Sequence, residues 1–412
     1  MTGWTGGQYS LFRISFGAYL FVHFTALLTE SVEISSMQGV LHDSSLSRII
    51  SLFPNVLALF DAPAFVTGFI AAACLLALLF AVGFHDRAAA VALGYIWACF
   101  HWRNPQISNP GYPYIGGMLL AHAFLPAALY LSWGARGRVD PDGGWRMPKS
   151  IWNVAWILMA LGYSFSGFTK LASPSLLDGS ALARILDNPL ARPGPAREAL
   201  LALPGWMLAA ATWSALALEI GFAPLALFPK ARPFIWSAML AMHVSLIALF
   251  NFADLSLGMV MLHLFTFDPA WVRPRPAAGP EMVFYDGHCG LCHRFVRLAL
   301  AEDGSGGAFR FAPLDSDVFR STVPENERAG LPDSIVLETA DGLLLTRSTA
   351  VLHLLSRLGG FWRVIAIVSR PVPRALRDLA YDSVASVRRR LFRAPAQSCP
   401  VVPPGLRARF LA

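Results

Sequence analysis

Apolar residues fill long blocks in the first two thirds of the chain, then fall into short alternating and helical patterns. The blocks are Leu11–Leu28, Ala64–Phe84, Ala88–Phe100, Tyr114–Trp133, Ile151–Phe168, Trp206–Phe228, Phe234–Phe250 and Leu255–Phe267. A helix needs about 20 apolar residues to cross a bilayer core, so this pattern predicts about eight spans, the third and last rather short. Ile49–Phe60 reads as a short interfacial or re-entrant piece. Trp97, Trp102, Trp133, Trp152, Trp206 and Trp236 stand near block ends, where an aromatic belt belongs.

The pattern changes at Pro274-Arg-Pro-Ala-Ala-Gly-Pro280, a Pro/Gly-rich hinge. Beyond it strands are predicted at Met282–Tyr285, Phe309–Ala312, Ser334–Glu338 and Leu343–Thr346, the last two flanking the turn Ala340-Asp341-Gly342. Helices are predicted at Cys289–Ala301 and Thr349–Leu358. A βαβ start followed by a hairpin and a helix is the order of a thioredoxin-like α/β domain. The expected architecture is a polytopic α-helical membrane bundle (residues 1–273), a hinge (274–280) and a small thioredoxin-like domain (281–412).

Composition agrees with that division. Only 14% of the residues are charged and 55% are hydrophobic, against about 25% charged in soluble domains. The net charge of +7 is read as contact with the cytoplasmic leaflet. Nucleic-acid binding is not expected, because no basic patch is interleaved with aromatics. Arg136, Arg138, Arg146 and Lys149 crowd one connection; Lys230, Arg232, Arg273 and Arg275 follow on the same parity. The bias of basic residues places both termini in the cytoplasm, as for an integral protein of a bacterial inner membrane. With no positive n-region or cleavage site at the start, the first apolar helix is expected to anchor the chain itself.

Five cysteines make no disulfide framework, but two of them form Cys289-Gly-Leu-Cys292 directly before an apolar helical period. On the first turn of a helix, free N–H groups and the dipole stabilise a thiolate. Cys289 is then the attacking thiolate and Cys292, one turn on, the resolving thiol. C-x-x-C also occurs as half of a zinc site and, with His293 following, as a haem attachment site. The strand before it and the lack of a second ligand pair favour redox chemistry. Asp286, three residues earlier, is either a proton acceptor beside the thiols or simple turn chemistry with Gly287.

Other candidates follow from position. Ionisable residues inside apolar blocks are costly and functional by default: Arg13, Lys170, Glu219 and His243. Lys170 closes a stretch rich in Gly, Ser and Thr; Glu219 and Arg13 are candidates to pair with each other or with polar neighbours. Cys399 is a third thiol or a bystander. The arginines after Trp362 (Arg363, Arg370, Arg374, Arg377, Arg388, Arg389, Arg390, Arg393) form a basic tail, either a solvated face or a surface for anionic headgroups.

Tyr285-Asp-Gly-His-Cys-Gly-Leu-Cys292 resembles the Y-D-G-x-C-x-x-C signature of the DCC family, also called DUF393. The likeness continues through Phe309–Leu314, Asp333–Leu337, Arg347–Leu352 and Arg377–Tyr381 to Cys399. It implies a thioredoxin-like thiol–disulfide oxidoreductase. It also suggests Pro332 as a cis-proline facing the thiols, and Ser348 either as a helix N-cap or at the place of a glutathione-binding serine. Ser166-Gly-Phe-Thr-Lys-Leu171 and Leu177-Asp-Gly-Ser-Ala-Leu182, with Phe12–Gly17, Leu218–Ile220, His243–Leu246 and Asp268-Pro269, resemble the HTTM family, bacterial relatives of vitamin K-dependent γ-carboxylase. That likeness implies a base at Lys170. Asn109-Pro-Gly-Tyr-Pro-Tyr114 lacks the family's catalytic histidine, which argues against carboxylation and leaves a quinone-like ligand.

The expected function is a membrane-anchored thiol–disulfide oxidoreductase, with the lipid bilayer and a thiol or disulfide protein or small thiol as partners. No cofactor is firmly implied; a quinone-like or glutathione ligand is the candidate. The competing readings are a lipid- or quinone-modifying bundle with a regulatory thioredoxin-like module, and a non-enzymatic transport or immunity-type protein.

Overall fold

The structure is a computed structural model that describes residues 3–127, 129–251, 254–392 and 397–411. Two compact units emerge. One comprises Phe12–Leu125 and Pro148–Phe267; the other joins Met1–Leu11 and Pro126–Met147 to Asp268–Ala412.

The first unit is helical. Among the described residues five helices are long and apolar enough to cross a membrane: α1 (Gly6–Ser35), α2 (Pro63–Val82), α5 (Lys149–Lys170), α6 (Gly205–Ala226) and α7 (Arg232–Leu249). The expected count of about eight is not confirmed. Three of the predicted blocks are the helices α3 (Asp86–Arg103), α4 (Tyr112–Ala123) and α8 (Asp254–Thr266). Asp86 and Arg103 bring charge to the ends of α3. Helix α4 stops at Ala123, so the apolar residues after Pro126 that seemed to prolong it lie in the other unit.

Charges buried in this unit are paired. Arg13 lies 3.5 Å from Asp86, which His122 also approaches at 3.5 Å. Glu219 binds Lys170, so Arg13 and Glu219 each take a polar neighbour and not each other. Small residues bring α5 and α6 together. A Cβ on Gly167 would stand 2.7 Å from the backbone nitrogen of Ile220. Pro224 inside α6 has no N–H for the carbonyl of Ile220, and the Ser164 hydroxyl donates to that carbonyl at 2.9 Å in its place.

In the second unit a four-stranded sheet has the order β2-β1-β3-β4. Strand β1 (Glu281–Tyr285) pairs in parallel with β2 (Phe309–Pro313) and antiparallel with β3 (Val336–Glu338), which forms a hairpin with β4 (Leu344–Thr346). Alternate residues serve opposite faces. Val283, Tyr285, Phe309 and Phe311 pack on α9 (Gly290–Glu302) and α10 (Arg347–Leu358) through Val296, Leu300 and Leu354. Phe284, Ala312 and Val336 pack on Phe319 and Val323 beneath the other face. The open edge of β2 is covered by the chain end, where Leu411 N–H donates to Phe311 O and Phe311 N–H to Arg409 O, both at 2.9 Å.

Two longer helices follow α10, α11 (Gly360–Ser369) and α12 (Arg374–Leu391), where the sequence predicts only a basic tail. Residues 274–280 run beside α10: Arg275 N–H donates to Ser356 O at 2.8 Å, and Arg357 to the carbonyl of Arg275 at 2.5 Å. The beginning of the chain is also bound here. Glu302, at the end of α9, accepts hydrogen bonds from the Thr5 hydroxyl, from Gly7 N–H at 2.9 Å and from Trp362 Nε1 at 2.6 Å. Burial pushes its carboxyl above the usual range despite these donors.

Candidate active site

The thiol turn is built by ordinary turn and capping chemistry. After β1, Asp286 Oδ1 accepts the His288 N–H at 2.9 Å and its carbonyl accepts the Cys289 N–H at 3.2 Å. Of the two readings of Asp286, the turn is therefore present, and the carboxylate also faces Arg388 at 3.5 Å. Cys289 is the N-cap of α9, with extended backbone, and its sulfur accepts the Cys292 N–H at 3.2 Å. Both thiols are unbonded. Cys289 is 1% exposed and Cys292 half-buried.

These contacts split the two acidities. The Cys292 thiol and backbone N–H both donate to Cys289, and with the positive charge of Arg388 they outweigh burial and draw its pKa down to about 6. Cys292 goes the other way, held protonated by the hydrogen bond to Cys289 and by burial. One sulfur is poised as a thiolate at neutral pH and the other as its proton donor.

Arg388 is a neighbour of the thiol turn that the sequence pattern does not reveal. Assigned from sequence to the basic tail, it is buried: Nη2 lies 2.6 Å from Asp333 Oδ1, and Nη1 donates to the Asp333 carbonyl at 3.2 Å. It joins the turn before the thiols to the loop before β3. The bond to Asp333 and the nearby thiols overcome burial and raise its pKa. The available signal was helical spacing, since Tyr381 sits seven residues earlier on the same face and accepts the Ile335 N–H at 3.0 Å. Arg393 lies outside the described residues.

Two expectations in this domain are corrected. Among the described residues there is no cis peptide bond, so Pro332 is trans; its carbonyl accepts the Ser334 N–H at 2.7 Å in a tight turn. Ser348 is not the N-cap of α10, a place held by Thr346. Its hydroxyl instead donates to Asp378 Oδ1 at 2.5 Å, and its N–H to the same oxygen at 3.3 Å. The hydroxyl at the place of a glutathione-binding serine thus already holds a carboxylate from α12.

Ser398 and Cys399 lie against the thiol turn. The Ser398 carbonyl accepts the Tyr285 hydroxyl at 3.2 Å and is 3.1 Å from His293 Nε2, which also meets the Gly287 carbonyl at 3.0 Å. The histidine of the C-x-x-C-H pattern is thus engaged by backbone carbonyls. Gly287 is required here because a Cβ would approach Ser398 Cβ to 2.9 Å. Cys399, half-buried, follows Ser398 directly in the chain, which brings the third thiol near the turn.

In the helical unit Lys170 Nζ, at the last residue of α5, lies 2.5 and 2.6 Å from the two Glu219 oxygens, and Ser166 adds a bond at 3.3 Å. His243 is in a separate cluster, with Nε2 2.9 Å from the Tyr163 hydroxyl and Nδ1 3.3 Å from Ser256. The rings of Tyr163 and His243 lie 5.8 and 5.9 Å from that of His263. Sequence reasoning also passed over His23, whose Nδ1 is 2.9 Å from Asp254 Oδ1, while Asn109 binds the other oxygen at 3.0 Å. His23 did not stand out in the pattern, because a single polar side chain in an apolar block carries no period.

Comparison with known proteins bears on the second unit. Residues 283–394 match the family described as DCC1-like thiol-disulfide oxidoreductase. Over 135 residues, 32% of this chain and 93% of the relative, the chain is 31% identical to the uncharacterized protein YuxK of Bacillus subtilis. No solved structure matches.

Proposed function

Because the chain belongs to the DCC1-like thiol-disulfide oxidoreductase family through its C-terminal domain, we propose that residues 281–412 form a thioredoxin-like domain exchanging disulfides through Cys289 and Cys292. The Cys289 thiolate attacks a substrate disulfide, giving a mixed disulfide and a substrate thiolate. Cys292 then yields its proton to that leaving thiolate and attacks the Cys289 sulfur, releasing the second substrate sulfur as a thiolate that takes a proton from water. The substrate is reduced by two electrons and the pair becomes a disulfide, which a second dithiol restores. The same steps in reverse oxidise a dithiol. The observation that carries this reading is the capping of Cys289 by the Cys292 N–H, which fixes a thiolate one helical turn from a protonated partner. Its test is a thiol-trapping redox titration of the full chain, with the Cys289–Cys292 peptide followed by mass. Failure of that pair to form a reversible disulfide sinks it.

The helical unit, in our reading, is an HTTM-like bundle that anchors the domain to a membrane with both termini on the cytoplasmic side. A quinone-like ligand would sit near Lys170, where the Lys170–Glu219 pair supports a proton-handling site. If the bundle is instead the enzyme and the thiol domain its regulator, Lys170→Ala abolishes turnover of a lipid-soluble substrate while Cys289→Ser leaves it intact. The opposite result favours thiol exchange as the activity.

A further inference from the structure

Helix α12 turns an apolar face to solvent. Leu376, Leu379, Val384, Val387 and Leu391 recur at helical spacing and are exposed, Leu379 and Leu391 by 64% and 70%. The opposite face is the one bound to the domain, through Asp378, Tyr381 and Arg388. Val368 and Val372, also exposed, extend the stripe onto the end of α11 and the turn after it. A soluble domain normally buries such a stripe.

The charges beside the stripe are mostly positive. Residues 360–392 hold seven arginines against two aspartates. Both aspartates are already engaged, Asp378 by Ser348 and Arg374 (3.3 Å) and Asp382 by Arg347 (3.2 Å). Arg370 and Arg390 are exposed. Apolar side chains on one face with arginines at the margins are the pattern of a helix lying in a membrane interface. A bilayer is also the one surface that a chain with five helices of spanning length always has at hand.

We propose that α12, with the end of α11, docks on an anionic phospholipid surface, its leucines and valines in the headgroup boundary and its arginines on lipid phosphates. The docking itself rests on the membrane-anchored reading alone; the substrate class drawn from it rests also on the redox one. Since α12 carries Arg388 into the thiol site from its inner face, docking places the thiol turn at the membrane surface and points to thiols and disulfides presented there as substrates.

The test uses the full chain in nanodiscs of phosphatidylcholine, alone or mixed with phosphatidylglycerol, after carbonate extraction has verified membrane integration. A fluorescent non-natural amino acid replaces Ser383, at the centre of the stripe, and is quenched by headgroup nitroxide lipids or by aqueous iodide. Docking gives strong nitroxide quenching and iodide shielding in the anionic discs. Leu379→Glu with Val384→Glu restores iodide access, while the pH midpoint of Cys289 alkylation in that variant shows an intact fold. Arg370→Gln with Arg390→Gln lowers the docked-to-free ratio by roughly fivefold per arginine removed. Iodide access equal in all discs overturns the proposal. So does iodide shielding without nitroxide quenching, which assigns the face to a protein, with cross-linking to a second copy identifying a dimer.

Discussion

Replacing Cys292 by alanine, and separately by serine, separates the hydrogen bond from the rest of the thiol site. The Cys292 thiol is the largest influence lowering the Cys289 pKa, while the residue-292 N–H, 3.2 Å from the sulfur, survives either change. A hydrogen bond to a charged group contributes about 1.5–3 kcal/mol and one pKa unit corresponds to about 1.4 kcal/mol. A thiol is a weak donor, so its loss is expected to raise the Cys289 pKa by about one unit. From a starting value of about 6, the thiolate fraction at pH 6 then falls from roughly one half to roughly one tenth, a decrease of about fivefold. Serine keeps a donor and holds the midpoint near that of the wild type. The assay is the rate of iodoacetamide alkylation of reduced protein from pH 4.5 to about 9.5, read at the Cys289 peptide by mass spectrometry. Because Cys289 is 1% exposed, every rate is scaled by local opening, and the comparison rests on midpoints. The reasoning fails if alanine and serine variants share the wild-type midpoint, or if the wild type itself titrates like an ordinary cysteine.

Three further outcomes are expected. Gly287→Ala forces Ser398 away from the thiol turn and lowers stability by about 1–3 kcal/mol, read as an earlier denaturation midpoint of the C-terminal domain. Arg388→Met leaves Asp286 and Asp333 without their shared cation and raises the Cys289 alkylation midpoint; stability falls by about 1–3 kcal/mol, since Asp333 is largely exposed. A thiol with a lowered folded-state pKa contributes stability that is full above its unfolded value near 8.5 and is lost as pH falls through about 6. The melting temperature of reduced wild type is thus expected to rise from pH 6 to about 8.5 relative to Cys289→Ser, with no such rise in the oxidised protein.

Local patterns carried the small domain. Short apolar runs at Met282–Tyr285 and Phe309–Ala312 placed the two parallel strands β1 and β2, and the hairpin was marked by Asp341-Gly342. Cys289 was legible because a cap, a turn and a helical period all meet at one place. Arg388 was not, because its burial depends on Asp333 and Asp286, 55 and 102 residues away in sequence. Ser348 misled for the same reason: its local setting suits a cap, but Asp378 from a later helix takes its hydroxyl. In the bundle, hydropathy located the apolar segments and overran their ends, as at Ala123, where the helix stops and Pro126 follows.

Glu302 has a consequence for topology. Its carboxylate holds Thr5 and Gly7, so the start of the chain and the thiol domain lie on the same side of any membrane that the intervening helices cross. Residues 126–147 belong to that unit too, through bonds such as Tyr130 OH to Arg294 O at 3.1 Å. Whatever crossings the helices make are therefore even in number between Leu11 and Pro126, and even again between Met147 and Asp268. The second interval contains three helices of spanning length, an odd number. If all three cross, α8 must be the fourth, although its 13 residues reach only about 20 Å as a helix. Parity thus turns one buried carboxylate into a constraint that no hydropathy window contains.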